Sequence, residues 1–116
     1  MTNATIYVPS LPTRWDAATK AQVPTLDLNP ATEFGKLFII TRGPQSTGSQ
    51  LDEAINAVID DARLYNYKRG DAVLMVGDPI LNAAFISAAA GDNYQPVRCL
   101  RWDRKTHSYN EVDIRL

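Results

Sequence analysis

The sequence predicts a single α/β domain built on a small, mostly parallel β-sheet. Two short apolar runs, residues 37–40 and 72–76, are typical of strands that are covered on both faces. A helical pattern follows each run, and strands that alternate with helices imply a parallel sheet with right-handed crossovers. The predicted order is β-β-α-β-α-β-β, which corresponds to a Rossmann-like or flavodoxin-like layer.

The N-terminal part of the chain is predicted to be less regular. Residues 5–8 form the first strand, which a proline ends. Four prolines fall within residues 9–30, so this segment is expected to be an irregular excursion. A single helical turn follows, with Asn29 as its N-cap, Pro30 as its first residue and Gly35 as its stop.

Two helices with recognisable ends connect the buried strands. The first is predicted to begin at Ser49, the N-cap, with Asp52 in a variant capping box, and to end before Gly70. Its apolar residues recur at helical spacing, forming one stripe: Leu51, Ala54, Ile55, Val58, Ile59, Ala62 and Tyr65. The second helix covers residues 80–90, is apolar nearly all round, and is closed by Gly91.

The C-terminal segment predicts an antiparallel hairpin. Residues 97–102 and 111–116 are the two strands, and the polar residues 103–110 form a rather long loop. At 116 residues the whole chain is expected to be one domain, residues 1–116.

Composition narrows the classes of function. The net charge of −1 argues against binding polyanions through bulk charge. One cysteine and one histidine are too few for a zinc site built on these residues and leave no internal disulfide, so no metal and no cofactor is predicted. The sequence has no leader and no apolar run of about 18 residues, so we expect a cytoplasmic protein without a membrane partner.

The loop between Gly43 and Ser49 is the first candidate binding site. Gly43 and Gly48 have the spacing of a phosphate-binding loop between a strand and a helix, and Arg42 precedes them. Ser49 occupies the position where the Walker motif has lysine, and Gln50 replaces its Ser or Thr. A glycine-rich turn before an N-cap is the simpler interpretation, with anion binding as the alternative.

Gly77 and Asp78 end the second buried strand, where α/β proteins often hold a ligand. Asp78 before Pro79 is also a good helix start, because aspartate caps and proline fits the first turn. Capping is therefore the favoured interpretation, and a ligand shared with the Gly43–Ser49 loop is the alternative.

No catalytic set is predicted. His107 lies in the hairpin loop without an orienting partner, and Cys99 is expected to be a small buried packing residue.

The hairpin raises a third possibility, binding of single-stranded nucleic acid. Cations beside aromatic rings suit phosphate neutralisation and base stacking. Nearby carboxylates dilute this charge, and charged residues on an edge hairpin also prevent aggregation. The residues concerned are Arg98, Arg101, Trp102, Arg104 and Lys105, with Tyr109 across the loop.

Residues 26–116 resemble a group of small bacteriophage-encoded proteins for which no activity is established. The shared features are the run 74–79, ending in Gly-Asp-Pro, before an Ala-rich helix, the segment Leu-Arg-Trp-Asp-Arg at 100–104, a closing strand at 109–112, and the run 30–35 before the first buried strand. The resemblance implies a phage accessory protein.

The sequence thus favours a non-enzymatic interaction protein with an unidentified protein partner. A phosphate- or nucleotide-binding domain is the first alternative and a nucleic-acid-binding hairpin the second. The sequence also allows a homodimer that forms through the outer strand of the hairpin.

Overall fold

The structure, a computed structural model, describes residues 4–43, 49–64, 67–68, 70–91 and 94–115. Its strands are β1 (Thr5–Leu11), β2 (Thr13–Asp16), β3 (Ala21–Pro24), β4 (Lys36–Arg42), β5 (Ala72–Leu74), β6 (Val97–Asp103) and β7 (Ser108–Ile114). The helices are α1 (Ser49–Leu64), α2 (Pro79–Ala90) and a 3₁₀ helix at Asn29–Glu33.

The main sheet has five strands in the order β4-β1-β5-β6-β7. The first four strands are parallel to one another, and β7 pairs antiparallel with β6. The predicted mixed α/β architecture, with a mostly parallel sheet and a C-terminal antiparallel hairpin, is confirmed. The strands β2 and β3 form a separate antiparallel pair.

Both long helices cover the same face of the sheet, and the strand order explains why. The connections from β4 to β5 and from β5 to β6 run in one direction along the sheet, whereas the connection from β1 to β4 runs in the other. Connections of the same hand that run in opposite directions lie on opposite faces. The helices therefore pack on the face that carries Tyr7, Val73 and Cys99.

The opposite face, which we call the back face, receives only the connection from β1 to β4. Its buried core includes Ile6, Val8, Leu74 and Leu100, with Ala31 of the 3₁₀ helix packed against it. A single short helix cannot cover five strands. The back face is therefore left partly open at the β5–β6–β7 side.

The prediction of an irregular excursion after Pro9 is wrong for much of that segment. Strand β1 continues through Pro9 to Leu11, and β2 and β3 form a hairpin within the excursion. A proline is tolerated inside β1 because its pairing with β5 ends at Tyr7, so no ladder bond to β5 is lost. The hydroxyl of Thr41 on β4 donates to the Pro9 carbonyl at 2.6 Å.

The ends of the helices differ in how well the sequence predicts them. Helix α2 has the predicted caps, Asp78 as N-cap and Gly91 as C-cap, and begins at Pro79, one residue before the predicted range. Helix α1 is described as far as Leu64, and Tyr67 and Lys68 are not helical, so it ends before the predicted stop at Gly70; Tyr65 of the predicted apolar stripe lies outside the described residues. The 3₁₀ helix has Leu28 as N-cap, with no side-chain cap bond, so Asn29 is its first residue and not its cap.

The remaining difference concerns the start of β7. Strand β7 begins at Ser108, three residues before the predicted start, so the hairpin turn is only residues 104–107. Its polar, exposed residue Asn110 falls in the predicted loop because an edge strand shows such side chains to solvent. Neither helix in the described part of the chain is long and apolar enough to cross a membrane.

Candidate functional site on the back face

An open cleft of about 470 Å³ lies where the back face is left uncovered. Three segments that are distant in sequence form it: residues 12–30, which follow β1, residues 76–77, which follow β5, and the β6–β7 hairpin. Its polar members are Thr25 and Asp27. Its apolar and aromatic members are Pro12, Leu26, Pro30, Val76, Trp102 and Tyr109. We call it the Trp102 cleft.

Trp102 and Tyr109 form one wall of this cleft. They are direct partners in the β6–β7 register, so the antiparallel pairing places their side chains on the same face. Their rings meet at 65° with centroids 5.0 Å apart, an edge-to-face arrangement that aromatic rings favour. Tyr109 is buried, whereas Trp102 keeps part of its surface accessible.

The opposite wall comes from residues 25–27, between β3 and the 3₁₀ helix. Leu26 is 39% exposed at the rim, so its aliphatic side chain is accessible to a ligand in the cleft. Asp27 follows it, and one carboxylate oxygen accepts a hydrogen bond from the Asn29 backbone N–H at 3.0 Å. This short-range bond fixes the chain as it enters the 3₁₀ helix.

A second cleft of about 380 Å³ adjoins the first. The two clefts share Asp27, Pro30 and Tyr109. The second cleft adds Glu33 and Phe34 from the end of the 3₁₀ helix and its C-cap, and His107 from the hairpin turn. We call it the Glu33 cleft. Because they share these three residues, the two clefts lie side by side on the back face, and we call the pair the groove.

Tyr109 stands at the junction of the two clefts. Burial, and secondarily the negative charge of Asp27, raise the pKa of the Tyr109 phenol above its ordinary value. The phenol therefore stays neutral and protonated throughout the physiological range, so it offers one O–H donor and acceptor lone pairs to a ligand in the groove.

The predicted anion-binding residues lie at the carboxyl edge of the sheet. Arg42 is the last residue of β4 and Gly43 follows it, whereas Ser49 is the first residue of α1. Gly48 lies outside the described residues. The backbone N–H of Gly43 donates to the Leu11 carbonyl, so this amide is used within the fold.

Gly77 and Asp78 lie beside the end of β1. The Asp78 carboxylate accepts a hydrogen bond from the Ile80 N–H at 2.9 Å, which is the capping role that the sequence favours. The Asp78 N–H donates to Ser10 Oγ at 2.9 Å. Gly77 also lines the Trp102 cleft.

The cationic residues of the hairpin are not gathered on one surface. Arg98 forms an ion pair with Glu111, donates to the Gly70 carbonyl, and lies 5.7 Å from the centroid of the Phe34 ring. Strand alternation places Arg101 on the face opposite Trp102.

The turn of the hairpin holds the other two cations. Arg104 and Lys105 are exposed there. The Lys105 N–H, and then the Asn110 side chain, donate to the Asp103 carboxylate and hold the pKa of that carboxyl below its ordinary value.

Two further residues can be placed. The His107 ring lies 6.3 Å from that of Trp102 and lines the Glu33 cleft. Cys99 is a free, buried thiol whose pKa burial raises to about 11, as a packing residue requires. Within the described residues, no group of three or more His, Cys, Asp or Glu side chains is placed to hold a metal ion.

Sequence reasoning missed Leu26 and Asp27. The only local signal is an apolar residue followed by aspartate two positions before Asn29, a pattern that predicts a turn and not a cleft wall. Their partners on β6 and β7 are some 80 residues away, so no spacing in the sequence brings them together.

These features define a small α/β protein with a five-stranded, mostly parallel sheet and a groove on the face opposite its two long helices. The chain belongs to the phage Pam3 gp32-like protein family, whose model matches residues 4–116. No curated protein and no solved structure matches it. The resemblance to small phage-encoded proteins is thus confirmed, and it brings no activity with it.

Proposed function

We propose that this protein is a binding protein without catalytic activity, a phage accessory factor that engages a protein partner through the groove on the back face. The Trp102 cleft carries the proposal. It is an open, largely apolar concavity with an aromatic wall and a few polar groups, which is the usual composition of a binding site.

The topology supports this location. The back face is open because only the β1–β4 connection crosses it, so the apolar residues at the β5–β6–β7 side have no covering element of their own. Exposed apolar surface rimmed by polar residues marks interaction sites in soluble proteins. In the proposed setting, a reducing cytoplasm, the buried Cys99 stays a thiol.

Site-specific photocrosslinking tests the proposal. A photoreactive phenylalanine derivative is introduced at Leu26, on the rim of the groove, and separately at Ile80, which is 51% exposed at the start of α2. Each protein is irradiated in lysate of phage-infected cells. The proposal predicts a discrete crosslinked product from position 26 and none from position 80. Products from position 80 alone, or from neither position, would contradict it.

One observation favours a second candidate, a phosphate or nucleotide ligand at the carboxyl edge of the sheet. The order of the five main strands corresponds to the 2-1-3-4-5 order of doubly wound sheets, in which ligands bind where the strand order reverses. That point lies between β1 and β5, where Ser10, Gly77 and Asp78 meet. A thermal-shift screen with nucleotides and inorganic phosphate tests it, and a flat response contradicts it.

A further inference from the structure

The groove carries negative charge, from two carboxylates. Asp27 lines both clefts and Glu33 lines the second, whereas no lysine or arginine of the described residues lines either. Arg98 reaches the Phe34 ring nearby, but its charge is balanced by Glu111. The remaining lining is apolar or aromatic, apart from neutral polar groups and His107. The groove therefore combines carboxylates with aromatic surface.

Tyr109 provides an independent indication of a ligand. Only 5% of its surface is exposed, and it lies at the junction of the two clefts. Its hydroxyl forms no hydrogen bond with any residue that the structure describes. The hydroxyl oxygen itself is not fully enclosed, so it is open to a ligand in the groove that would form the missing hydrogen bond. Its position beside Asp27 suits a donor group that binds both oxygens.

We propose that the groove binds a basic segment of the partner polypeptide, with an arginine or lysine side chain directed at Asp27 and Glu33. This inference rests on the proposed function, since it specifies the partner's chemistry at the same site. The cationic head donates to the carboxylates and to the Tyr109 hydroxyl. The alkyl stem and neighbouring apolar residues of the segment cover Trp102 and Leu26.

The chemistry of the lining favours such a segment over other ligands. Hydrogen bonds between a guanidinium or ammonium group and a carboxylate are stronger than neutral ones. Basic side chains also bury their aliphatic stems along apolar surface while keeping the charge at the polar end. An aromatic face beside the cation adds a further attraction. Acidic or phosphate-bearing ligands would instead meet two carboxylates.

Three fluorescein-labelled octapeptides of one design test the proposal: Gly-Ser-Leu-Xaa-Leu-Xaa-Ser-Gly, with Xaa as arginine, citrulline or glutamate. Citrulline keeps the shape of arginine and removes its charge. Fluorescence anisotropy is measured as each peptide is titrated with the full-length protein. We expect the arginine peptide to bind about tenfold more tightly than the citrulline peptide, the effect of a charged hydrogen bond. The glutamate peptide should not bind.

Variants of the protein then locate the site. Asp27→Asn keeps an oxygen that accepts from the Asn29 N–H, so the turn is retained while the charge is lost. Asp27→Asn and Glu33→Gln should each remove most of the preference for arginine over citrulline. Glu53→Gln, an exposed residue of α1 on the other side of the sheet, is the matched control and should leave that preference unchanged.

The outcomes separate this inference from the proposed function. Equal binding of the arginine and citrulline peptides would overturn the preference for a cation and leave a peptide-binding groove. Stronger binding of the glutamate peptide, or no binding of any peptide, would overturn the inference, while the Leu26 crosslink independently decides the proposed function. An arginine preference that survives Asp27→Asn and Glu33→Gln would also overturn it.

Discussion

Ser10 Oγ accepts a hydrogen bond from the Asp78 backbone N–H at 2.9 Å, which joins the end of β1 to the turn between β5 and α2. Ser10 is 3% exposed, so this bond gives its buried hydroxyl oxygen a partner within the fold. The same turn contains Gly77, which lines the Trp102 cleft. The contact between Ser10 and Asp78 therefore fixes one wall of the groove relative to the sheet.

Gly77→Ala should destabilise the protein strongly. Gly77 has a φ of +74°, and a Cβ built there would lie 2.3 Å from the Ser10 carbonyl oxygen. Gly91→Ala is the control, because Gly91 has a φ of +66° but nothing within 4 Å of its Cβ position. Denaturant unfolding should show that Gly77→Ala costs about 2 kcal/mol more than Gly91→Ala, the effect of overpacking. Equal losses would contradict the close approach of Gly77 to Ser10.

Asp78→Ala should lower the free energy of unfolding by about 1 kcal/mol, the usual contribution of an N-cap. The loss arises because the Ile80 N–H has no other acceptor in the first turn of α2. Asp78→Asn retains a side-chain oxygen and should unfold near the wild-type denaturant concentration. If both variants were equally destabilised, capping would not be the role of this side chain.

Tyr67→Phe should be destabilising although it removes only a hydroxyl. The Tyr67 hydroxyl donates to the Asp71 carbonyl at 3.0 Å and accepts from the Arg98 N–H at 2.8 Å. Its loss leaves both backbone groups without this partner, which should cost about 2 kcal/mol. Tyr94→Phe, at a residue 67% exposed, should change the free energy of unfolding little. A neutral Tyr67→Phe would show that the bridge does not hold in solution.

The raised pKa of the buried Cys99 thiol should lower the free energy of unfolding at alkaline pH. Burial, and to a smaller extent Asp113, raise its pKa from 9.0 to about 11. Below pH 9 the thiol is protonated in both states. Between pH 9 and 11 the unfolded chain releases the proton first, so the free energy of unfolding falls as pH rises. Cys99→Ala should have a shallower decline over this range in denaturant titrations, and an unchanged decline would contradict the prediction.

The order of elements and the ends of α2 could be predicted because their signals are local. Asp78, Pro79 and Gly91 suit their positions through their own backbone and capping chemistry. The hairpin of β2 and β3 gave no such signal. Its turn is held by Asp16, which accepts bonds from Ala18 N–H and the Thr19 hydroxyl. The prolines around these short strands obscured the pattern.

The groove was beyond prediction because long-range geometry creates it. It exists because the β1–β4 connection is the only one on its side of the sheet, a consequence of strand order that no local pattern encodes. The sequence did draw attention to Trp102 and Tyr109, as aromatic residues among cations. Their partners across the groove, Leu26 and Asp27, become neighbours only once the chain has folded.

The most direct test of the account uses the two tryptophans of the chain, Trp15 and Trp102. Trp102 forms a wall of the groove, whereas Trp15 is 60% exposed on β2, outside the set of residues that line it. The protein is labelled with 5-fluorotryptophan, and ¹⁹F NMR spectra are recorded before and after addition of infected-cell lysate. The account predicts that the Trp102 resonance shifts or broadens while the Trp15 resonance stays in place. A change at Trp15 with an unaltered Trp102 resonance would contradict the groove as the binding surface.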